Sequence, residues 1–433
     1  MSLWFYRIAA FVLAPLMLLV LAWRSARDRS GPIGLAARFG FGRWCARETL
    51  WVHAVSVGEV QAAQPLIAAL RERHPDWDIV LTCVTPTGLQ RARALFGDTV
   101  DLRYLPLDLP GSVRRFLERT RPRMAVLLET EIWPNLFRAC AARGIPLLIV
   151  NARLSERSLR RMLRFPALLR ATLAGDVRVA AQSAADAQRF RELGVRASVV
   201  THVGNIKFDI QVPEEGRLQA GDLRRRYASE QKFVWVAAST HEGEESIALQ
   251  AQHALRAQGL DSLLIIAPRH PRRFAAVADE LQRRGCDGRR WSEMTAPATD
   301  SFDVLLIDTL GELLAHYAMA DVALVGGSLI PVGGHNLLEP VALGVATLSG
   351  PHFFNGAAVA QSLIDAGVVT VVHDADSLAR ELLRLASDPL ERARRSATGL
   401  RELASARGAV GRLVELIETE LVSADSRSPS TKN

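Results

Sequence analysis

Cysteine is scarce in this chain: among 433 residues there are only Cys45, Cys83, Cys140 and Cys286. They stand far apart, with no Cys-x-x-Cys and no neighbouring histidine pair, which excludes a disulfide framework and a zinc site and leaves reduced thiols of a cytosolic body. A metal-binding carboxylate pattern is missing as well. The two Asp-x-Asp matches, Asp76-Trp77-Asp78 and Asp374-Ala375-Asp376, precede a strand and a helix, away from the strand carboxyl ends where an open α/β sheet keeps its ligands. Neither is taken as a metal site. The formal net charge of +7 comes mainly from arginine, and no nucleic-acid recognition motif accompanies it.

What is present begins with a hydrophobic run. Residues 8–23, IAAFVLAPLMLLVLAW, carry no charge over sixteen positions, about 24 Å of helix, and counting from Leu3 with Arg7 snorkelling gives about 31 Å against a hydrocarbon core of about 30 Å. No Ala-x-Ala site follows, so a cleaved signal peptide does not fit. Between Arg24 and Arg47 six arginines face a single acid, Asp28, and the positive-inside rule places the body of the chain in the cytoplasm. Residues 1–25 read as an uncleaved membrane anchor, spanning or embedded in one leaflet.

Short apolar runs alternate with helical patterns from residue 50 onward, which is the pattern of a parallel sheet. Strands are expected at 50–54, 79–84, 125–128, 147–151, 177–180 and 198–203, then at 233–238, 263–267, 304–307, 322–325, 346–348 and 369–372. A polar stretch at 210–217 reads as a linker between two doubly wound α/β domains with a cleft between them, residues 26–212 and 213–422. Residues 423–433 read as a disordered tail.

The chemistry gathers at strand ends. VGGSLIPVGGHNLLEP, residues 325–340, places two glycine pairs, Gly326-Gly327 and Gly333-Gly334, between a strand and a helix. His335 and Asn336 stand where the helix begins, and Glu339 faces the same side as Asn336. A glycine-rich turn holding nothing is the plain alternative. Glu59, in Ser56-Val57-Gly58-Glu59, would emerge on the first turn of a helix with small residues clearing space beside it, as a general base needs; a glutamate favouring the helix dipole is the bland reading.

Glu129 and Glu131 alternate after the 125–128 run and point the same way if the strand continues, which would crowd them and raise one pKa; otherwise one pairs with a lysine such as Lys207. Ser239 and Thr240 offer hydroxyls near a helix start, Pro268-Arg269-His270-Pro271 a cation, and Asp308-Thr309-Leu310-Gly311-Glu312 a turn able to hold a base. Each has a capping explanation alone; together at four strand ends of one sheet they favour a nucleotide. Arg153, Arg157, Arg160, Arg161, Arg164 and Arg170 interleave with apolar residues, either a solvated face over a core or an interfacial helix meeting anionic lipid; the anchor favours the second.

HAVSVGE at 53–59, LETEIWPN at 128–135, GNIKFD at 204–209, STHEGEE at 239–245, PRHP at 268–271, DTLGEL at 308–313 and GGHNLLEP at 333–340 stand in the order found in one family. The chain resembles the 3-deoxy-D-manno-octulosonic acid (Kdo) transferases of the inner membrane. The resemblance implies GT-B architecture, two facing Rossmann-like domains with catalysis on the cytoplasmic face. It also implies inverting transfer of Kdo from CMP-Kdo to the lipid A precursor, lipid IVA, with no metal or other cofactor. It makes Glu59 the base and Glu129 and Lys207 stabilisers of charge. Ser239, Pro268, Arg269, His270, Leu310, Gly311, Glu312, Gly333, Gly334, His335, Asn336, Leu337, Leu338 and Glu339 resemble the CMP-Kdo pocket, and Arg157, Arg160, Arg161 and Arg164 an acceptor and membrane face. Two departures stand out: Arg272 follows PRHP where glutamate is expected, and Leu337 follows GGHN where proline is frequent. A nucleotide-sugar epimerase of the same fold and a non-catalytic membrane-tethered scaffold are the alternatives; the anchor argues against the first, the polar strand ends against the second.

Overall fold

The computed structural model describes residues 2–28, 34–210, 221–226, 231–294 and 302–427, with side chains placed up to Trp23 in the N-terminal helix and up to Ser423 at the other end. It divides into two compact units, one made of Met1–Asp209 with Ala406–Asn433 and the other of Ile210–Ser405. The first holds β1 (Thr49–His53), β2 (Asp78–Cys83), β3 (Asp101–Tyr104), β4 (Pro122–Leu128), β5 (Leu147–Ala152), β6 (Val177–Ala181) and β7 (Val200–His202) in the order β3-β2-β1-β4-β5-β6-β7. The second holds β8 (Phe233–Thr240), β9 (Ser262–Pro268), β10 (Gly288–Arg290), β11 (Val304–Leu306), β12 (Val322–Val325), β13 (Ala346–Ser349) and β14 (Val369–Val371) in the order β10-β11-β9-β8-β12-β13-β14. Every pairing is parallel.

Parallel sheets are covered on both faces, so their central strands are apolar throughout: β1, β5, β9 and β12 are buried at every position. The two strands without an expectation, β3 (Asp-Leu-Arg-Tyr) and β10 (Gly-Arg-Arg), lie at sheet edges, where a polar sequence costs little and leaves no apolar run to read. In each unit the strand order reverses near the middle of the sheet, between β1 and β4 and between β8 and β12, and in the second sheet β10 and β11 are also interchanged at the edge. The central reversals are the points where a doubly wound sheet opens a ligand crevice at its carboxyl ends.

The C-terminal boundary differs from the expected 213–422. Helix Ala409–Arg427 returns to the first unit, burying Ala409, Val410, Leu413, Val414, Ile417 and Leu421 in one core with Leu50, Ile67, Leu81 and Met124. Asp209 accepts from the amides of Gly408 and Val410 at 2.6 and 2.5 Å, and His74 Nε2 lies 2.6 Å from Glu418. The helix also runs through 423–427, which were expected to be disordered; 428–433 lie outside the described residues, as does the 210–217 linker beyond Ile210.

At the other end, helix Leu3–Asp28 runs unbroken through Pro15, and Leu3–Trp23 is long and apolar enough to cross a membrane. Arg7 stays exposed, and its Nε donates to Asn135 Oδ1 at 2.9 Å.

Candidate active site

In the first unit, β1 and β4 lie side by side, with His53 opposite Leu127, so the segments leaving them enter the same crevice. After β1 the chain turns through Ser56 into helix Val57–Arg73, with Glu59 on its first turn. The Glu59 carboxylate reaches back to accept from the Val55 amide at 2.9 Å, with the Ser56 hydroxyl at 3.4 Å. A structural role at the helix start is therefore present, yet a second property exceeds it. Burial pushes this carboxyl up to about 7, with the charges of Glu129 and Glu131 adding to the rise and the Val55 amide and Ser56 hydroxyl opposing it. A Cβ on Gly58 would meet nothing within 4 Å, so open space lies nearby.

The strand does not continue past Leu128, which corrects the expectation that Glu129 and Glu131 share a direction. Glu129 sits in the left-handed region at φ 60, and its amide donates to Val150 O at 3.0 Å. A non-glycine residue there costs on the order of 1 kcal/mol, and such residues gather at functional sites. Glu131 is occupied: Trp133 Nε1 donates to it at 2.8 Å and the wholly buried His53 holds Nε2 at 3.8 Å. Among the described residues the Glu129 carboxylate has no hydrogen-bonding or ion-pair partner. The charges of both carboxylates reach Glu59, where they add to the effect of burial.

Asn151, also left-handed at φ 49, is the last but one residue of β5 and accepts from the amide of Ile206 at 3.2 Å, which fixes the 3-10 turn Ile206–Phe208. Ile206 shares a core with Val60 and Ala63, so the turn packs on the helix that carries Glu59. Lys207 belongs to this turn. The alternative pairing of Lys207 with Glu129 or Glu131 is not formed among the described residues.

In the second unit, Glu244 is almost wholly buried and accepts four backbone amides: His241 at 2.9 Å, Gly327 at 2.7 Å, Ser328 at 3.0 Å and Leu329 at 2.9 Å. One carboxylate thus binds the end of β8 to the start of the glycine-rich stretch. Gly327, at φ 66, accepts at its carbonyl from the amides of Gly333 and Gly334 at 3.0 and 2.7 Å and closes the loop. Part of the glycine expectation needs correcting. A Cβ at Gly326 would lie 2.8 Å from the Ala238 and Ser239 carbonyls, and one at Gly333 2.5 Å from Asn355 and Phe354. These two let the chain approach itself rather than a ligand. Thr240 does not offer its hydroxyl outward either; it donates to Glu245 at 2.8 Å, and Arg273 reaches the same oxygen at 2.5 Å. Ser239 beside it is left-handed at φ 53.

Arg269, Asn336 and Glu339 come together as the sequence suggests. Asn336 Nδ2 donates to Glu339 Oε1 at 3.1 Å, and burial raises the Glu339 pKa while Asn336 and the Arg269 charge oppose it. Helix Leu338–Ala342 is only five residues long, so its dipole is weak and Arg269, exposed at the end of β9, is the strong cation here. His335 packs parallel to His241, their Nε2 atoms 2.9 Å apart, so one donates and the other accepts. Burial, with Arg269, His241 and His270 adding their charge, holds His335 down to about 4. His270 stands edge-on to His241. Pro268 ends β9. The Leu310-Gly311-Glu312 turn is open, with Leu310 75% exposed and Gly311 at φ 94, while Asp308 is engaged with Arg290 and Ser292.

The arginine-rich segment is two helices rather than one, Glu156–Met162 and Pro166–Thr172, divided at the proline. Arg157, Arg160, Arg161 and Arg164 line it, with Arg160, Arg161 and Arg164 flanking the exposed Leu163 and Phe165.

The family model of 3-deoxy-D-manno-octulosonic-acid transferase (kdotransferase) matches residues 34–210. The 3-deoxy-D-manno-octulosonic acid transferase of Haemophilus influenzae is 38% identical over 421 residues, 96% of this chain and 98% of that one. That of Bordetella pertussis is 39% identical over 431 residues, 95% of this chain and 98% of that one. The chain belongs to the Kdo transferase family. It is thus a glycosyltransferase of lipopolysaccharide biosynthesis, and the epimerase and scaffold alternatives fall. A UDP-GlcNAc 2-epimerase from Neisseria meningitidis superimposes with a TM-score of 0.56 at 15% identity, covering 86% of this chain and all of that one, which shows the shared GT-B fold alone. In this Kdo transferase His53, Asn151, His241 and Glu244 hold structural positions that sequence reasoning does not assign, and Ser239, expected to offer its hydroxyl, stands in a left-handed conformation. Glu244 and His241 lie in a quoted motif, but a left-handed asparagine or serine leaves no mark in a sequence.

Proposed function

We propose that this Kdo transferase moves Kdo from CMP-Kdo to lipid IVA with inversion and without a metal, at the cytoplasmic face of the inner membrane. The observation that carries the reading is Glu59: a half-ionised carboxyl at neutral pH, with open space nearby and a second, unengaged carboxylate, Glu129, close enough to raise its pKa. A base poised near the working pH both accepts a proton readily and is available to do so. In the proposed reaction Glu59 takes the proton of the acceptor hydroxyl, whose oxygen bonds the anomeric carbon of Kdo as the bond to CMP breaks. Glu129 and Lys207 balance the charge that develops at the sugar. CMP departs as a phosphate monoester anion, which Arg269 meets, with Asn336 and Glu339 holding the nucleotide. Arg157, Arg160, Arg161 and Arg164 with Leu163 and Phe165 suit an anionic lipid surface and a phosphorylated lipid acceptor.

The test is Kdo transfer from CMP-Kdo to a tetra-acylated lipid A precursor by the purified protein in detergent with chelator present, wild type against Glu59→Ala. Transfer that survives chelation and falls by orders of magnitude in the folded variant supports the reading. Equal rates in the two proteins would remove Glu59 as the base, and loss of wild-type transfer in chelator would overturn the metal-free step.

A further inference from the structure

The N-terminal helix is fastened to the first unit along its flank. Tyr6 Oη donates to Asp108 Oδ2 at 2.8 Å and Arg7 Nε to Asn135 Oδ1 at 2.9 Å. Ala10, Ala14 and Leu18 continue the same face at helical spacing, with Ala14 buried against Leu107 and Leu109 and Phe39 packed beside them. Helix Pro166–Thr172, on the C-terminal side of the exposed arginines, also packs on it. Asp108 is buried, and it fixes the far side of this seam by accepting from the amides of Asn135 and Leu136 at 2.9 and 2.8 Å. The seam from Tyr6 to Leu18 occupies about 18 Å of the helix.

A segment crossing the hydrocarbon core needs about 30 Å of helix clear of a polar body. Here a narrow flank of Leu3–Trp23 touches folded protein, with Ala14 alone fully buried, and its first turns are tied to a carboxylate and an amide that hydrocarbon would not tolerate. The opposite face carries Phe5, Ile8, Val12, Leu16, Leu19 and Trp23, each 43–69% exposed. We infer that the helix is an in-plane anchor, lying along the first unit with this stripe sunk in one leaflet of an anionic membrane and crossing nothing. The leaflet is the occupant the surroundings select: the exposed Leu163 and Phe165 stand just before the helix that packs on the anchor, and Arg160, Arg161 and Arg164 flank them in the chain with charge that matches anionic headgroups. The inference rests on the membrane reading above but not on the transfer reaction.

Sidedness tests it in the full chain. Ser2→Cys and, separately, Leu390→Cys are placed in protein carrying Cys45→Ser and Cys286→Ser; Ser2 is exposed and Leu390 is 82% exposed on the second unit. Membrane vesicles of both orientations are treated with a membrane-impermeant maleimide. In-plane anchoring makes both cysteines react in vesicles of one orientation and stay silent in the other. Reaction of the two in opposite orientations shows a crossing and overturns the inference, as does labelling of Ser2→Cys only after detergent. Recovery of the protein from the soluble fraction would instead sink the membrane reading beneath it, whatever the transfer assay returns.

Discussion

In the proposed reaction Glu59 does two things with one carboxylate, holding the Val55 amide and taking a proton, and they can be separated. Glutamine keeps an oxygen for the Val55 amide, so Glu59→Gln is expected to fold while losing the base, with a fall of roughly 100- to 10,000-fold in kcat. In the wild type, the ionised form grows as pH rises, so kcat/KM should climb through a midpoint near 7. Because Glu131 helps to hold the Glu59 carboxyl up, Glu131→Gln should move that midpoint lower; a midpoint that stays in place would deny the coupling. The stability consequence has the matching sign. A carboxyl raised in the folded state favours folding at low pH and forfeits that contribution as pH climbs from about 4.5 to about 7, so at pH 8 Glu59→Gln should melt higher than wild type. The residue itself was legible, because Ser-x-Gly-Glu after an apolar run marks a strand end and a helix start. Glu129 was legible through the LETEIWPN resemblance, while the geometry argued for it fails, since the left-handed turn at φ 60 ends the strand on which the pairing with Glu131 depended. Nothing in a glutamate's neighbours announces a positive φ; the surrounding fold imposes it.

At the scale of elements, the glycine-rich stretch is held by a side chain more than eighty residues earlier in the chain. Glu244→Ala would leave the amides of His241, Gly327, Ser328 and Leu329 without their acceptor. At about 1–3 kcal/mol for each buried amide left unpaired, relaxation and water recovering part of it, the loop should lose its shape. CMP binding measured by calorimetry should weaken at least tenfold in Glu244→Ala, with less effect in Glu244→Gln, which keeps one acceptor oxygen. Unchanged CMP affinity in the alanine variant would show that the stretch is organised without this carboxylate. The central strands and the Asn336–Glu339 pair could be read ahead of the structure because period and spacing fix them locally. The Glu244 tie and edge strands β3 and β10 could not, since the first is long-range and the others carry Asp, Arg and Gly where a solvent-facing edge permits them.

For the whole molecule, the chain's last helix completes the first core, a fact that an apolar periodicity can suggest as a helix but cannot assign to a partner. Truncation after Arg407 removes six buried aliphatic residues, at roughly 2 kcal/mol for each of the larger side chains. The sum approaches the whole stability of a typical domain, so the first unit should fail to fold while the second keeps its own calorimetric transition. That second unit has a different weakness, in acid. Burial holds both His316 and His335 down to about 4; for His316 a hydrogen bond to the Glu312 carbonyl opposes burial, and for His335 the charge of Arg269 adds to it. The unfolded chain takes up these protons near pH 6.5 and the folded unit does not. The contribution of each neutral imidazole is therefore full above about 6.5 and is lost as pH falls toward 4, on the order of 3 kcal/mol apiece. Scanning calorimetry from pH 7.5 to 4.5 should show the second unit's transition falling with pH, and His316→Phe, which removes one of the depressed histidines while His335, His241 and His270 remain, should flatten that slope in part. An unchanged slope in the variant would mean that the buried imidazole at 316 is not what acid attacks.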